Sequence, residues 1–120
     1  MSTLNLGDSL ISDTDYSTSE KKTGATWING KPIYSKYVDC IFASSANADG
    51  DTAHNISNIE TVVRVEAFTP SGFRVPMPFA TNLVYGMLYV SNTVVRLQTN
   101  ASGYLNTHLN VVIFYTKTTD

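Results

Sequence analysis

Residues 84–116 read VYGMLYVSNTVVRLQTNASGYLNTHLNVVIFYT. Two runs rich in β-branched and aromatic residues, Val84 to Val90 and Thr93 to Thr99, flank Ser91-Asn92, which reads as a two-residue hairpin turn. Asn100 to Asn106 is polar and reads as a loop with Ser102-Gly103-Tyr104 at its tip. Leu109 to Thr116 is apolar at successive positions in its middle, so both faces of that strand need cover and it belongs in the centre of a sheet. No window of 11–18 residues in the chain carries a 3.6-residue apolar period. The fold class is therefore all-β.

Upstream, Ile59 to Phe68 (IETVVRVEAF) reads as a strand. A period of two sends Val63, Val65 and Ala67 to one face and Val62, Arg64, Glu66 and Phe68 to the other. The second face is mixed, which suits partial exposure or a subunit contact. Thr69-Pro70-Ser71-Gly72 is a turn, Phe73-Arg74-Val75 a return strand, and Pro76 and Pro78 make residues 77–81 an irregular edge. Asn29-Gly30 predicts a type I′ hairpin joining Thr26-Trp27-Ile28 to a long strand over 33–42. Residues 43–58 read as a loop by composition, and 1–24 as polar chain in which LNLGDSLI (4–11) can pair as an edge strand. This organisation predicts a polar tether or docking segment over 1–23 and an antiparallel β-sandwich, jelly-roll-like, over 24–120.

Composition agrees. The 120 residues fit one core. Hydrophobic residues make up 42%, too many for a disordered chain. Charged residues are 15%, against about 25% in a typical globular domain. Ser, Thr and Asn, 37 of the 120, take their place. A net charge of −2 without a basic stripe argues against a nucleic-acid partner. No segment approaches the ~20 apolar residues of a membrane span, and MSTLNLGDSL lacks a basic segment followed by an apolar one. A soluble product of the cytoplasm, with no membrane insertion, is the expectation. Cys40, the single cysteine, has no internal disulfide partner and reads as a small packed hydrophobe.

Chemical motifs are sparse. Asp49-Gly50-Asp51 with His54 is the one local grouping of acids with an imidazole. Its spacing lacks the ligand ladder of a calcium loop and suits turn chemistry better than a metal or general-base site. No catalytic residue, metal or cofactor is expected. His108, at the start of the last strand, reads as structural. Trp27 reads as an anchor in the core or between subunits, with stacking on a sugar as the alternative. The sequons at Asn55 and Asn100 read as chance matches in so Asn-rich a chain. Loops on a rigid β scaffold are where binding resides. Asp51, His54, Asn55, Asn100, Ser102 and Tyr104 are the candidate contacts to a hydroxyl-rich ligand, with His54 and Tyr104 as stacking surfaces.

Three segments together resemble a known family. YSTSEKKTGATWINGKPIYSK (16–36), HNISNIETVV (54–63) and VVIFYTKTTD (111–120) resemble, in the same order, the opening, middle and closing of small β domains in bacteriophage structural proteins. Such domains occur in tail fibres, baseplate receptor-binding proteins and head fibres. The resemblance implies a non-enzymatic β-sandwich on a virion, assembled as a homotrimer alongside other virion structural proteins and made in the host bacterial cytoplasm. It implies attachment to host cell-surface polysaccharide or protein. Trp27, Asn29, Gly30 and Tyr34 are then architectural, and any receptor site lies in the loops. Almost no shaft, collagen-like repeat or coiled-coil heptad precedes residue 16, unlike the longer members. A capsid decoration protein without a receptor is the competing reading. A carbohydrate-active enzyme is disfavoured because the acids are few and scattered.

Overall fold

Among the described residues, eight strands and a single 3-10 turn follow one another: β1 (Lys21–Thr26), β2 (Pro32–Ile41), β3 (Gly50–Ala53), β4 (Ile59–Phe68), β5 (Phe79–Thr81), β6 (Val84–Val90), β7 (Val94–Thr99), the 3-10 turn Ser102–Tyr104, and β8 (His108–Lys117). The computed structural model describes residues 17–72, 79–81 and 83–120. No α-helix occurs among the described residues, so the all-β expectation holds. One sheet has the order β1-β2-β8-β4 and the other β3-β7-β6-β5, with every pairing antiparallel.

β8 is central, as its apolar run requires. Leu109, Val111, Ile113 and Tyr115 join Val38 and Cys40 of β2, Ala67 of β4, and Val95 and Leu97 of β7 in one buried cluster. Each Val, Leu or Ile of the cluster contributes on the order of 1.5–3 kcal/mol. The opposite face of β8 is buried too, at Val112, Phe114 and Thr116. There the Arg64 guanidinium lies 3.9 Å from the Phe114 ring centroid, and its stem adds apolar cover. Cys40 is fully buried and free, and burial pushes its thiol up to about 12.

The connections β2–β3 and β7–β8 cross between the sheets side by side. The amide of Phe42 donates to Thr107 O at 3.0 Å, Asn106 to Ala43 O at 3.1 Å, and Asn47 to Thr99 O at 2.9 Å. These bonds carry the β2–β8 ladder through the corner into the β3–β7 ladder. Gly50 begins β3 against the exit of β2. A Cβ there would lie 2.6 Å from Ile41 O and 2.8 Å from Ala43 N, so the corner excludes any side chain.

Several local expectations change. β3 falls inside the stretch read as a loop. Gly, Asp and Ala are poor strand formers, and it is the ladder from β7 that makes a strand of them. The Asn29-Gly30 turn is not type I′. Trp27 N donates to Lys31 O and Gly30 N to Trp27 O, both at 2.9 Å, closing a three-residue loop. Only Gly30, at φ 85, is left-handed, and Asn29 Oδ1 instead accepts the Lys31 amide at 3.0 Å. In the β6–β7 hairpin Ser91 N donates to Val94 O, so Asn92-Thr93 occupies the turn, one residue beyond the expectation. The Ser91 hydroxyl draws it there by accepting the amides of Thr93 and Val94.

In β4 the register slips by one between Val62, opposite Tyr115, and Arg64, opposite Phe114. Val63 is the extra residue. It lines the outward face with Arg64, Ile33 and Phe114 rather than the core, where the period of two had put it. The Thr69–Gly72 turn forms as expected, with Gly72 N donating to Thr69 O at 2.8 Å. The boundary expected between 23 and 24 falls inside β1. The 4–11 segment, Phe73-Arg74-Val75, Pro76 and Pro78 lie outside the described residues.

Candidate functional site

The six candidate contacts do not converge. The β3–β7 register pairs Ala53 with Val94 and Gly50 with Leu97. His54 and Asn55 therefore sit at the end of the molecule that carries the β6–β7 turn. Asn100, Ser102 and Tyr104 follow β7 at the opposite end. Asp51 lies between, on the outward face of the second sheet.

His54 is 1% exposed, so its ring offers no stacking surface. Its Nδ1 accepts the Ile56 amide at 3.0 Å, which leaves Nε2–H to donate to Ser91 O at 2.8 Å. Both nitrogens are thus used in tying the 54–58 loop to the β6–β7 turn. A shallow depression of about 400 Å³ lies over that junction, bordered by Asn55, Ser57, Asn92 and Thr93. Asn55 is exposed and left-handed at φ 56, and its carbonyl accepts Lys36 Nζ at 3.4 Å.

At the other end Asn100 caps a turn. Its Oδ1 accepts the Tyr85 amide at 2.9 Å and its Nδ2 donates to Leu83 O at 2.7 Å. Tyr104 stacks on Phe42 with ring centroids 5.6 Å apart and borders an apolar cleft of about 200 Å³ with Pro70 and Leu109. Ser102 is exposed on the 3-10 turn. His108 is half-exposed, with Nδ1 2.9 Å from Asp39 Oδ1. Trp27 is half-buried and stands outside the core cluster.

The outward face of the second sheet gathers polar groups that sequence reasoning left scattered. Val95, Leu97 and Thr99 of β7 point inward, so Arg96 and Gln98 point outward. Tyr85, Met87 and Tyr89 do the same on β6, where Leu88 and Val90 pack inward. Register places Asp51, Arg96 and Tyr89 in one cross-strand row. Arg96 donates twice to Asp51, from Nε at 2.8 Å and Nη2 at 3.0 Å, and Nε lies 3.5 Å from Asp49. That fork holds the Asp51 carboxyl below its usual range and the guanidinium above its own. Gln98 Nε2 donates to Asp49 at 2.8 Å, and the Tyr85 hydroxyl reaches Asn47 at 2.7 Å and Gln98 at 3.1 Å. Tyr89, 55% exposed, and Met87 stand open beside them.

Of these residues only Asp51 was a candidate contact. The alternation in VVRLQT was a usable signal for Arg96 and Gln98, but joining them to Asp49 and Asp51 required β3. The Asp49-Gly50-Asp51/His54 grouping is dispersed: both carboxylates meet Arg96 at the surface while His54 is buried against Ser91.

Three stretches distant in sequence, within 20–34, 58–60 and 115–118, meet at one end. Lys31 Nζ donates to Glu60 at 2.9 Å, Thr116 Oγ1 to Glu60 at 3.2 Å, and the Thr118 amide to Asn58 O at 2.8 Å. Lys117 Nζ and the Tyr115 hydroxyl both donate to Glu20, at 2.9 and 2.5 Å. Tyr34 stacks on Tyr115 at 5.9 Å. In comparison with known proteins, the chain matches no family model, no curated protein and no solved structure.

Proposed function

We propose that the chain is a non-enzymatic domain of a phage virion appendage that attaches the particle to a bacterial cell surface, with cell-surface polysaccharide as its ligand. The observation that carries this reading is the outward face of the second sheet. It is a weakly charged array of Asp, Arg, Gln and Tyr side chains, held in place by one another beside an open aromatic ring. The convergence of 20–34, 58–60 and 115–118 at one end supports an architectural role for the segments that contain them, with binding elsewhere.

In this reading the fold is a jelly-roll-like β-sandwich. The hydrogen-bonded corner between β2–β3 and β7–β8 supports it. The domain works as a homotrimer through the outward face of the first sheet. There the β4 bulge adds Val63 to Ala25, Ile33 and Phe114 around a cleft of about 160 Å³. Capsid decoration without a receptor is the second reading. It is favoured by the fact that several polar groups of that face already bond to one another.

The test is a pull-down of bacterial cell-wall fractions with the recombinant chain, run beside light scattering. Retention on the fractions by a particle of three times the chain mass is the expected result. No retention on any fraction, with the protein found on purified heads, selects decoration. A monomer at micromolar concentration overturns the trimer.

A further inference from the structure

We propose that the outward face of the second sheet binds a neutral polysaccharide, with a sugar ring lying on Tyr89 and its hydroxyls bonded by Asp51, Arg96, Asp49 and Gln98. This inference rests on the attachment reading and names its ligand class and its site.

The Tyr89 ring stands 55% exposed on β6, and Met87 beside it extends the apolar footing by one row. A tyrosine face offers apolar area to the C–H face of a sugar at low entropic cost, since it has only two χ angles. Neighbours within a cross-strand row stand about 4.7–4.9 Å apart, a spacing on the scale of one sugar ring. In the row of Tyr89, the Arg96 guanidinium is held by two bonds to Asp51, which leaves three of its five N–H donors free of that pair. Each carboxylate keeps lone pairs free. Fixed donors and acceptors therefore stand together beside the ring, as a hydroxyl, both donor and acceptor, requires. Because they are already ordered, the ordering cost of binding is small.

Charge narrows the class. Two carboxylates face one guanidinium, so the patch is net negative, and the guanidinium is already neutralised. A phosphate- or uronate-bearing polymer meets repulsion and, among the described residues of this face, no cation other than the paired Arg96. The two exposed apolar side chains are also too few for a stable protein interface, which needs roughly 800 Å² per partner.

The test uses the full chain on an array of neutral oligosaccharides (glucans, galactans, rhamnans) beside glycerol-phosphate and uronic-acid polymers. Tyr89→Ala, Tyr89→Trp and Arg96→Ala are compared after their unfolding curves show them folded. Expected is binding to a neutral member that changes little between low and high salt. Tyr89→Ala and Arg96→Ala should weaken it at least tenfold, and Tyr89→Trp should keep it. Preference for the anionic polymers overturns the proposal, as does binding unchanged in Tyr89→Ala. So does a change in that variant's oligomeric state, which would show a second copy covering the face. Cell adhesion separates the two readings. Equal adhesion by wild type and Tyr89→Ala leaves attachment standing and refutes this site, whereas no adhesion by wild type to any strain refutes attachment itself.

Discussion

Two polar regions of this molecule use the same residue types in opposite ways. At the end where 20–34, 58–60 and 115–118 meet, Glu20, Lys31, Glu60, Thr116 and Lys117 bond across separations of up to 97 residues, around the buried Tyr115. Their hydrogen bonds close the fold, and burial followed by the Glu20 contact raises the Tyr115 hydroxyl well above the usual tyrosine range. On the outward face of the second sheet, Asp49, Asp51, Arg96 and Gln98 bond sideways along the surface and keep their outer edges in water. The first arrangement consumes polar capacity to make structure. The second orients polar capacity and leaves it available. Where a bonded group's remaining lone pairs and protons point therefore says more about its role than whether it is bonded.

Stability measurements can sharpen or break that contrast. The largest effect is expected from Tyr115→Ala. It removes a fully buried ring stacked on Tyr34 and the donor to Glu20, so urea unfolding should show a loss of about 3–5 kcal/mol. His54→Ala comes next. It leaves the Ile56 amide and the Ser91 carbonyl without partners in a buried site, a loss on the order of 2–3 kcal/mol. A loss under about 0.5 kcal/mol would place His54 outside the structural set.

Arg96→Ala should be the mildest. Its ion pairs are exposed and screened by solvent, so the same urea titration at pH 7 should show the smallest loss of the three. If it costs as much as Tyr115→Ala, the outward face is part of the scaffold and the contrast fails. Its pH dependence carries a sign. Asp51 has a lowered folded pKa, chiefly through the hydrogen bond from Arg96, so its contribution is present above the unfolded carboxylate value of about 3.9. That contribution is lost as pH falls through the lower folded value. The gap between wild type and Arg96→Ala should accordingly narrow on titration below pH ~4.

Most of the fold could be read along the chain, and less of the site. β4 and β6 carry the bounds expected of them, β2 and β7 lie within a residue of theirs, and β8 spans the run marked as central. Those readings rest on a period of two and on turn residues, both properties of neighbours in sequence. β3 escaped because GDTA has no strand signature of its own. Val63 changed faces because a bulge is decided by the partner strand, here between Tyr115 and Phe114. His54 looked like an open loop residue and is buried against Ser91, 37 residues away, whose carbonyl accepts a hydrogen bond from its Nε2.

The sequence by itself determined an all-β chain with β8 at its centre and a turn at Thr69–Gly72, because alternation and turn chemistry act over a few residues. Only the tertiary structure decided which strands pair and how the corner beside Gly50 closes. It also decided that Asp51 faces Arg96 across 45 residues of chain. Those outcomes depend on long-range ladders and close backbone approach, and no local pattern of residues encodes them.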